Sequence, residues 1–193
     1  MRIKIYCGLA IAALAASLLA NSKTDAESAF RKLGAIESGT VPRGSKVYFT
    51  RPEIDAWIID EAHNRVPQGL TGVRLDLSAG RVVGYASIDF LKIRQSSGGA
   101  DPGWLIRSVF AGERPVVVTA RFTSQNGKAR ADVERVEISG VAIEGRALDF
   151  VIENYVRPTF PDVKVNQWFP LRYGVDRFTV AQQGVVVQMA PRR

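Results

Sequence analysis

Hydrophobic positions recur with two different periods along this chain, and the switches between them outline its elements. From residue 54 the spacing is helical: Ile54, Trp57, Ile58 and Ala62 share one side, with Asp55, Asp60, Glu61 and Arg65 on others. Thr50-Arg51-Pro52-Glu53 ahead of them has the form of a capping box. In that arrangement the Thr50 hydroxyl accepts from the Glu53 amide, while the Glu53 carboxylate reaches back to the Thr50 amide. Pro52 is tolerated in the first turn, where its missing N–H has no helical partner to lose. Pro67 and Gly69 end this amphipathic helix, and Val47-Tyr48-Phe49 forms a short β-like run leading into it.

The period then falls to two. Val73, Leu75 and Leu77 alternate with Arg74, Asp76 and Ser78. Ser78-Ala79-Gly80-Arg81 turns the chain, and Val82, Gly84, Ala86, Ile88 and Phe90 resume the alternation, predicting a β-hairpin. Gly84 and Ala86 leave little side chain on one face, which permits strong curvature or close approach of something else. Residues 94–103 read as a loop, followed by a short apolar turn or helix carrying Trp104, Leu105, Val109 and Phe110. A second hairpin starts at Pro115. Val116, Val118, Ala120 and Phe122 lead to a turn centred on Asn126-Gly127, and Ala129, Ala131, Val133, Val136 and Ile138 return. The alternation slips by one near Glu134-Arg135, as a bulge would make it.

A second amphipathic helix is predicted from the stripe Leu148, Val151, Ile152 and Tyr155, stopped by Pro158. Three short β-like pieces follow: Val163–Val165, Phe178–Ala181 and Val185–Met189, the last two joined by Gln182-Gln183-Gly184. Strands adjacent in sequence and joined by short turns imply an antiparallel sheet whose apolar face the two helices cover. The expected class is therefore α+β. Residues 23–45 read as an irregular leader, with a short helix from Asp25 to Leu33 placing Ala26, Phe30 and Leu33 on one face.

The first 22 residues change the picture of where the chain works. Arg2 and Lys4 form a basic start, Ile5 to Ala16 is almost wholly apolar, and Ala20 and Ser22 suit a cleavage site. This reads as a secretory signal, with an uncleaved anchor as the alternative: residues 5–22 would be about 27 Å long as a helix, near the lower limit for a hydrocarbon core of roughly 30 Å. Export to a periplasm or cell envelope is expected. Cys7, the chain's one cysteine, lies inside that segment, so the remainder is expected to form no disulfide and host no cysteine nucleophile. Residues 46–193 then read as a single domain. Without Arg2 and Lys4 the net charge falls from +7 to +5. A positive surface suits peripheral contact with an anionic membrane, or simply solubility. The basic residues are scattered, with no run or aromatic-basic motif that suggests nucleic acid.

Candidate chemistry is sparse. His63 is the one histidine, beside Asp60, Glu61 and Asn64, and reads as a surface residue. No second His, no Cys and no paired motif supports a metal site. Asp60 and Glu61 are neighbours, so they point about 100° apart and do not converge on one substrate atom. Gly-x-Ser-x-Gly and glycine-rich phosphate loops are absent from the sequence. A protein without catalysis and without a cofactor is expected.

A sheet with helices across one face either closes on a dry core or opens as an apolar groove. The residues in question are Ile54, Trp57, Ile58, Leu148, Val151, Ile152 and Tyr155 on the helices. They face Val73, Leu75, Ile88 and Phe122 on the strands. The run Val47-Tyr48-Phe49-Thr50-Arg51-Pro52-Glu53-Ile54-Asp55-Ala56-Trp57-Ile58 resembles the opening of the bacterial LmeA-like phospholipid-binding family. That family is similar to single modules of the tubular lipid-binding (TULIP, BPI-like) superfamily. The order of parts is similar too, with Val136-Glu137-Ile138-Ser139-Gly140-Val141 ahead of the second helix and a closing hairpin, over roughly residues 46–190. Two departures stand out: Asp55 where asparagine is commoner, and Arg146-Ala147-Leu148 where a proline-bearing segment often precedes the second helix. The resemblance implies a strongly curved antiparallel sheet wrapped around the helices, with a groove for a phospholipid or another acyl-chain ligand. On it, Arg51, Arg74, Arg146 and Arg157 become head-group candidates. The alternative is the same fold with a filled core, serving as a structural or protein-interaction module of the envelope.

Overall fold

The computed structural model describes residues 23–65, 69–96, 112–153 and 165–192, with side chains throughout these except at 61–65 and 94–96. The chain runs α1 (23–37), β1 (Lys46–Thr50), α2 (Arg51–Arg65), β2 (Leu70–Ser78), β3 (Arg81–Asp89) and α3 (Phe90–Ser96). It continues with β4 (Glu113–Gln125), β5 (Lys128–Ile138), β6 (Val141–Ala142), α4 (Gly145–Val151), β7 (Trp168–Pro170), β8 (Val175–Ala181) and β9 (Gly184–Met189). The class is α+β with antiparallel pairing, as the alternation predicts.

The turns form where their residues demand them. Asn126 and Gly127 both take positive φ (50° and 71°), the requirement of a tight hairpin turn, and Gln125 pairs with Lys128 across it. Ser78 pairs with Arg81 around Ala79-Gly80. The bulge falls at Glu134: Thr119 pairs with Arg135 and Ala120 with Val133, which leaves Glu134 over. A second irregularity, between Thr71 and Arg74, has no counterpart in the sequence reading.

The strands form two sheets rather than one. Five consecutive strands, β2-β3-β4-β5-β6, make the large sheet, with β7 also on β5. The small sheet is β1-β9-β8, and it joins the two ends of the domain: Lys46 pairs with Gln188 and Phe49 with Val185. Periodicity identifies β1, β8 and β9 as strands without saying that they pair with one another. Gly184 makes that junction possible. Its φ is 145°, and a Cβ there would lie 1.9 Å from the Phe49 carbonyl oxygen.

Other differences from the sequence reading share a cause in tertiary packing. Residues 23–45 are not simply an irregular leader: α1 continues to residue 37, with Ala29 and Ile36 buried in the core and Phe30 exposed. The packed face is thus Ala29, Leu33 and Ile36 rather than Ala26, Phe30 and Leu33. The strand alternation stops at Asp89, and Phe90 starts α3, where it is 2 % exposed in a second core cluster. Asp89 caps that helix by accepting from the Lys92 amide at 3.1 Å. The expected strand Val163–Val165, Trp104 to Phe110, Tyr155, Arg157, Pro158, the side chain of His63 and the whole of residues 1–22 lie outside the described residues.

Two apolar clusters result. The first gathers Phe49, Ile54, Leu77, Val180 and Met189 with Ala29 and Ile36, between α1, α2 and the small sheet. The second gathers Phe90, Val116 and Ile138, with Ile88, Phe150 and Val151 packed against them. Among the described residues, no helix is long and apolar enough to cross a membrane.

Candidate ligand-binding hollow

The first cluster does not close. A cavity of about 490 Å³ lies between α1, α2, the small sheet and one end of the large sheet. Ala29, Phe49, Ile54, Leu77 and Val180 are the buried part of its wall. Leu33, Trp57, Leu75, Val82, Phe122, Phe178, Val185 and Val187 complete it and are half-buried. Phe122 and Phe178 meet at 6.1 Å between ring centroids, tilted by 57°. Ser124, two residues on from Phe122, accepts from the Phe178 amide (2.8 Å) and donates to its carbonyl (2.6 Å), stitching β4 to β8 beside the rings.

Glu53 is the one polar residue among the described residues of this lining, and its carboxylate is bonded on both oxygens. Its carboxylate takes two bonds from Lys32 Nζ (2.6 and 2.7 Å), one from the Ser28 hydroxyl (2.6 Å) and one from the Thr50 amide (2.8 Å). Burial pushes this carboxyl up. The bonds from Lys32, Ser28 and Thr50 together outweigh it, and they hold the group down at about 2. Lys32 also donates to the Tyr48 carbonyl (2.6 Å) and lies 5.7 Å from the Phe49 ring centroid. The capping box is therefore present, with the Glu53 amide 3.4 Å from the Thr50 hydroxyl, and it doubles as the fastening of α1 to α2. A carboxylate engaged by these four bonds braces the wall where α1 meets α2.

The structure divides the sequence-derived candidates. Ile54, Trp57, Leu75 and Phe122 line the cavity. Ile58 and Val73 are half-buried outside its lining. Ile88 and Val151 belong to the second cluster, and Leu148 and Ile152 are half-buried on or just after α4, so the second helix does not face the first across one groove. The physical reason is that a helical stripe fixes which face is apolar but not which cluster receives it. Tyr155 is outside the described residues.

The head-group candidates fare differently. Arg51 is committed to structure: its Nε donates to Asp55 (2.8 Å), and one terminal nitrogen bonds the Leu75 carbonyl and lies 3.4 Å from Asp76. The hydrogen bond to Asp55 is the main reason its pKa is raised, against the lowering effect of burial. Arg74 lies over the Tyr85 ring at 4.2 Å and 3.8 Å from Asp76. Tyr85 adjoins Gly84, the partner of Leu75, so this pair is on the sheet face away from the cavity. Arg146 is exposed on α4, and Arg157 lies outside the described residues.

The sequence reading missed ten of the fourteen wall residues described. Phe178, Val180, Val185 and Val187 alternate clearly enough to be found, had the terminal hairpin been set opposite Phe49. Ala29 and Leu33 stand four apart on α1, a helical signal obscured by the more hydrophobic Phe30. No family model, curated protein or solved structure matches the chain.

Proposed function

We propose that this protein binds the acyl portion of a phospholipid-like amphiphile in the hollow between α1, α2 and the small sheet, and carries or holds it without reacting with it. The observation that supports the reading is an apolar cavity of about 490 Å³ in which the one carboxylate among the described residues is already satisfied. That volume lies within the roughly 300–1,000 Å³ of small-molecule sites. The hollow is partly open to solvent, so an acyl chain entering it takes both its own surface and the wall's out of water, at about 25 cal/mol per Å² of apolar surface. An alkyl chain gains about 0.8 kcal/mol for each methylene it buries.

The likeness of residues 46–190 to the LmeA-like family favours the same reading, and residues 1–22 favour an exported protein that meets its ligand in the periplasm or at the envelope. The competing reading, an interaction module with a filled core, has the cavity against it.

Native mass spectrometry of the protein purified from an export host without harsh detergent tests the proposal. Co-purified mass in the phospholipid or fatty-acyl range, lost on gentle activation, is the expected result. A clean apo mass with no uptake from liposomes overturns it. Trp57→Asp places a charge on the wall and is expected to abolish capture in a protein that still folds. Retained capture would place the ligand elsewhere.

A further inference from the structure

The register of the large sheet extends the apolar surface well beyond the hollow. Directly opposed residues share a face, as do residues two apart on one strand. From Val82 and Phe122 in the cavity wall, that face continues through the pairs Val82–Ala120, Gly84–Val118, Ala86–Val116 and Ile88–Arg114. It runs into the second cluster, where Val118, Val116 and Ile88 lie. The eight residue steps from Phe122 to Arg114 span about 26 Å of strand. Gly84, Ala86 and Ala120, between the two clusters, are half-buried and belong to neither. A Cβ at Gly84 would meet Leu75 Cδ2 at 3.6 Å and the Val118 carbonyl at 3.9 Å, both atoms of the sheet itself.

At the far end of this track stands a cation on the apolar face. The Nε of Arg114 is buried and has no hydrogen-bond partner among the described residues, a costly state that native proteins rarely leave uncorrected. Its carboxylate neighbours do not serve it. Glu113 and Asp89 oppose each other on the other face of the sheet, and Asp89 is engaged by the Lys92 amide and lies 3.5 Å from its ammonium. A guanidinium presents a planar fork that matches the oxygens of a carboxylate or phosphate.

Resting on the binding reading above, we infer that Arg114 is the head-group anchor: the ligand carries an oxyanion, carboxylate or phosphate, at Arg114, and its chain lies along the Gly84–Ala86–Ala120 track into the hollow. This gives the ligand a direction, head at the α3 end of the sheet and tail against Trp57 and Phe122. It also makes the site selective for anionic amphiphiles over neutral ones.

The test compares palmitate, hexadecyl phosphate and hexadecanol on the full protein by titration calorimetry. The wild type is expected to prefer at least one of the two anions to the alcohol by about tenfold or more, the worth of a charge-assisted hydrogen bond. The tighter of the two names the oxyanion. Arg114→Met is expected to bring that anion down to the alcohol's affinity while leaving the alcohol unchanged, and Arg114→Lys to keep part of the preference. Equal weakening of alcohol and anion, or no change in either, overturns the anchor while leaving the hollow intact. Failure of the wild type to bind any of the three overturns the hollow itself. Ala86→Phe, which blocks the track and keeps the arginine, reads the same question independently of Arg114 folding effects: palmitate affinity should fall severalfold, and unchanged affinity overturns the proposed path.

Discussion

Helices α2 and α4 start from the same kind of signal, an apolar stripe at helical spacing, and end in very different situations. The first turn of α2 is bonded in three directions: to α1 through Glu53 with Ser28 and Lys32, to β1 through the Thr50 amide, and to β2 through Arg51 with the Leu75 carbonyl. Ile54 and Ala56 behind that turn are buried. In α4 the residue before the first turn, Glu144, is extended and makes no side-chain cap bond, and none of the helix's residues is buried. An apolar stripe is enough to make a helix. What fixes a helix against one particular surface is the set of polar bonds at its start, because only those are directional. The cavity wall is built on the fixed helix, and that is how it can stand open.

The contrast can be broken most directly at Lys32. Removing its charge with Lys32→Met strands the buried Glu53 carboxylate. The expected loss is about 3 kcal/mol, the low end for a broken buried pair because Lys32 is 32 % exposed. Urea unfolding measures it, and a loss below half that would mean α2 is held by packing alone.

Acid titrates the same fastening. The folded carboxyl of Glu53 sits at about 2 against an ordinary 4.5, so the folded state binds fewer protons than the unfolded chain between those values. Stability is therefore intact above about pH 4.5 and declines as the pH falls toward about 2, by roughly 2 kcal/mol for this group. In Glu53→Gln that contribution to the pH dependence should vanish; an unchanged acid slope would assign it to other carboxylates. The smallest effects sharpen the comparison rather than break it. Thr50→Ala should cost about 0.5–1 kcal/mol through the long cap bond, and Glu144→Ala should stay within about 0.5 kcal/mol of wild type.

Local chemistry was the legible part of this sequence. The Asn126-Gly127 turn, the Thr50–Glu53 box and the slip at Glu134 each depend on residues within a few positions of one another, and each stands where the pattern places it. Partnership was not legible. Nothing in the alternation of Val185 and Val187 says that they meet Phe49 and Val47, and nothing in the stripe of α4 says that Val151 meets Phe90 rather than Trp57. Four of the fourteen wall residues described, Ile54, Trp57, Leu75 and Phe122, followed from the first helix and hairpins. Six more came from α1 and the terminal hairpin, elements whose apolar residues look like any minor core until the chain closes on itself.

That closure has a consequence for how the protein comes into being. Strand β1 is made early and β9 late, and Phe49 waits for Val185 before the small sheet exists at all. Contacts of such separation in sequence form slowly, because the intervening chain must be ordered first. A ribosome-bound chain therefore has no finished receptacle to fill. The hollow is completed only once residues 184–189 are free to dock; on the proposed reading, the ligand is then acquired after synthesis, on the far side of the membrane the chain crosses.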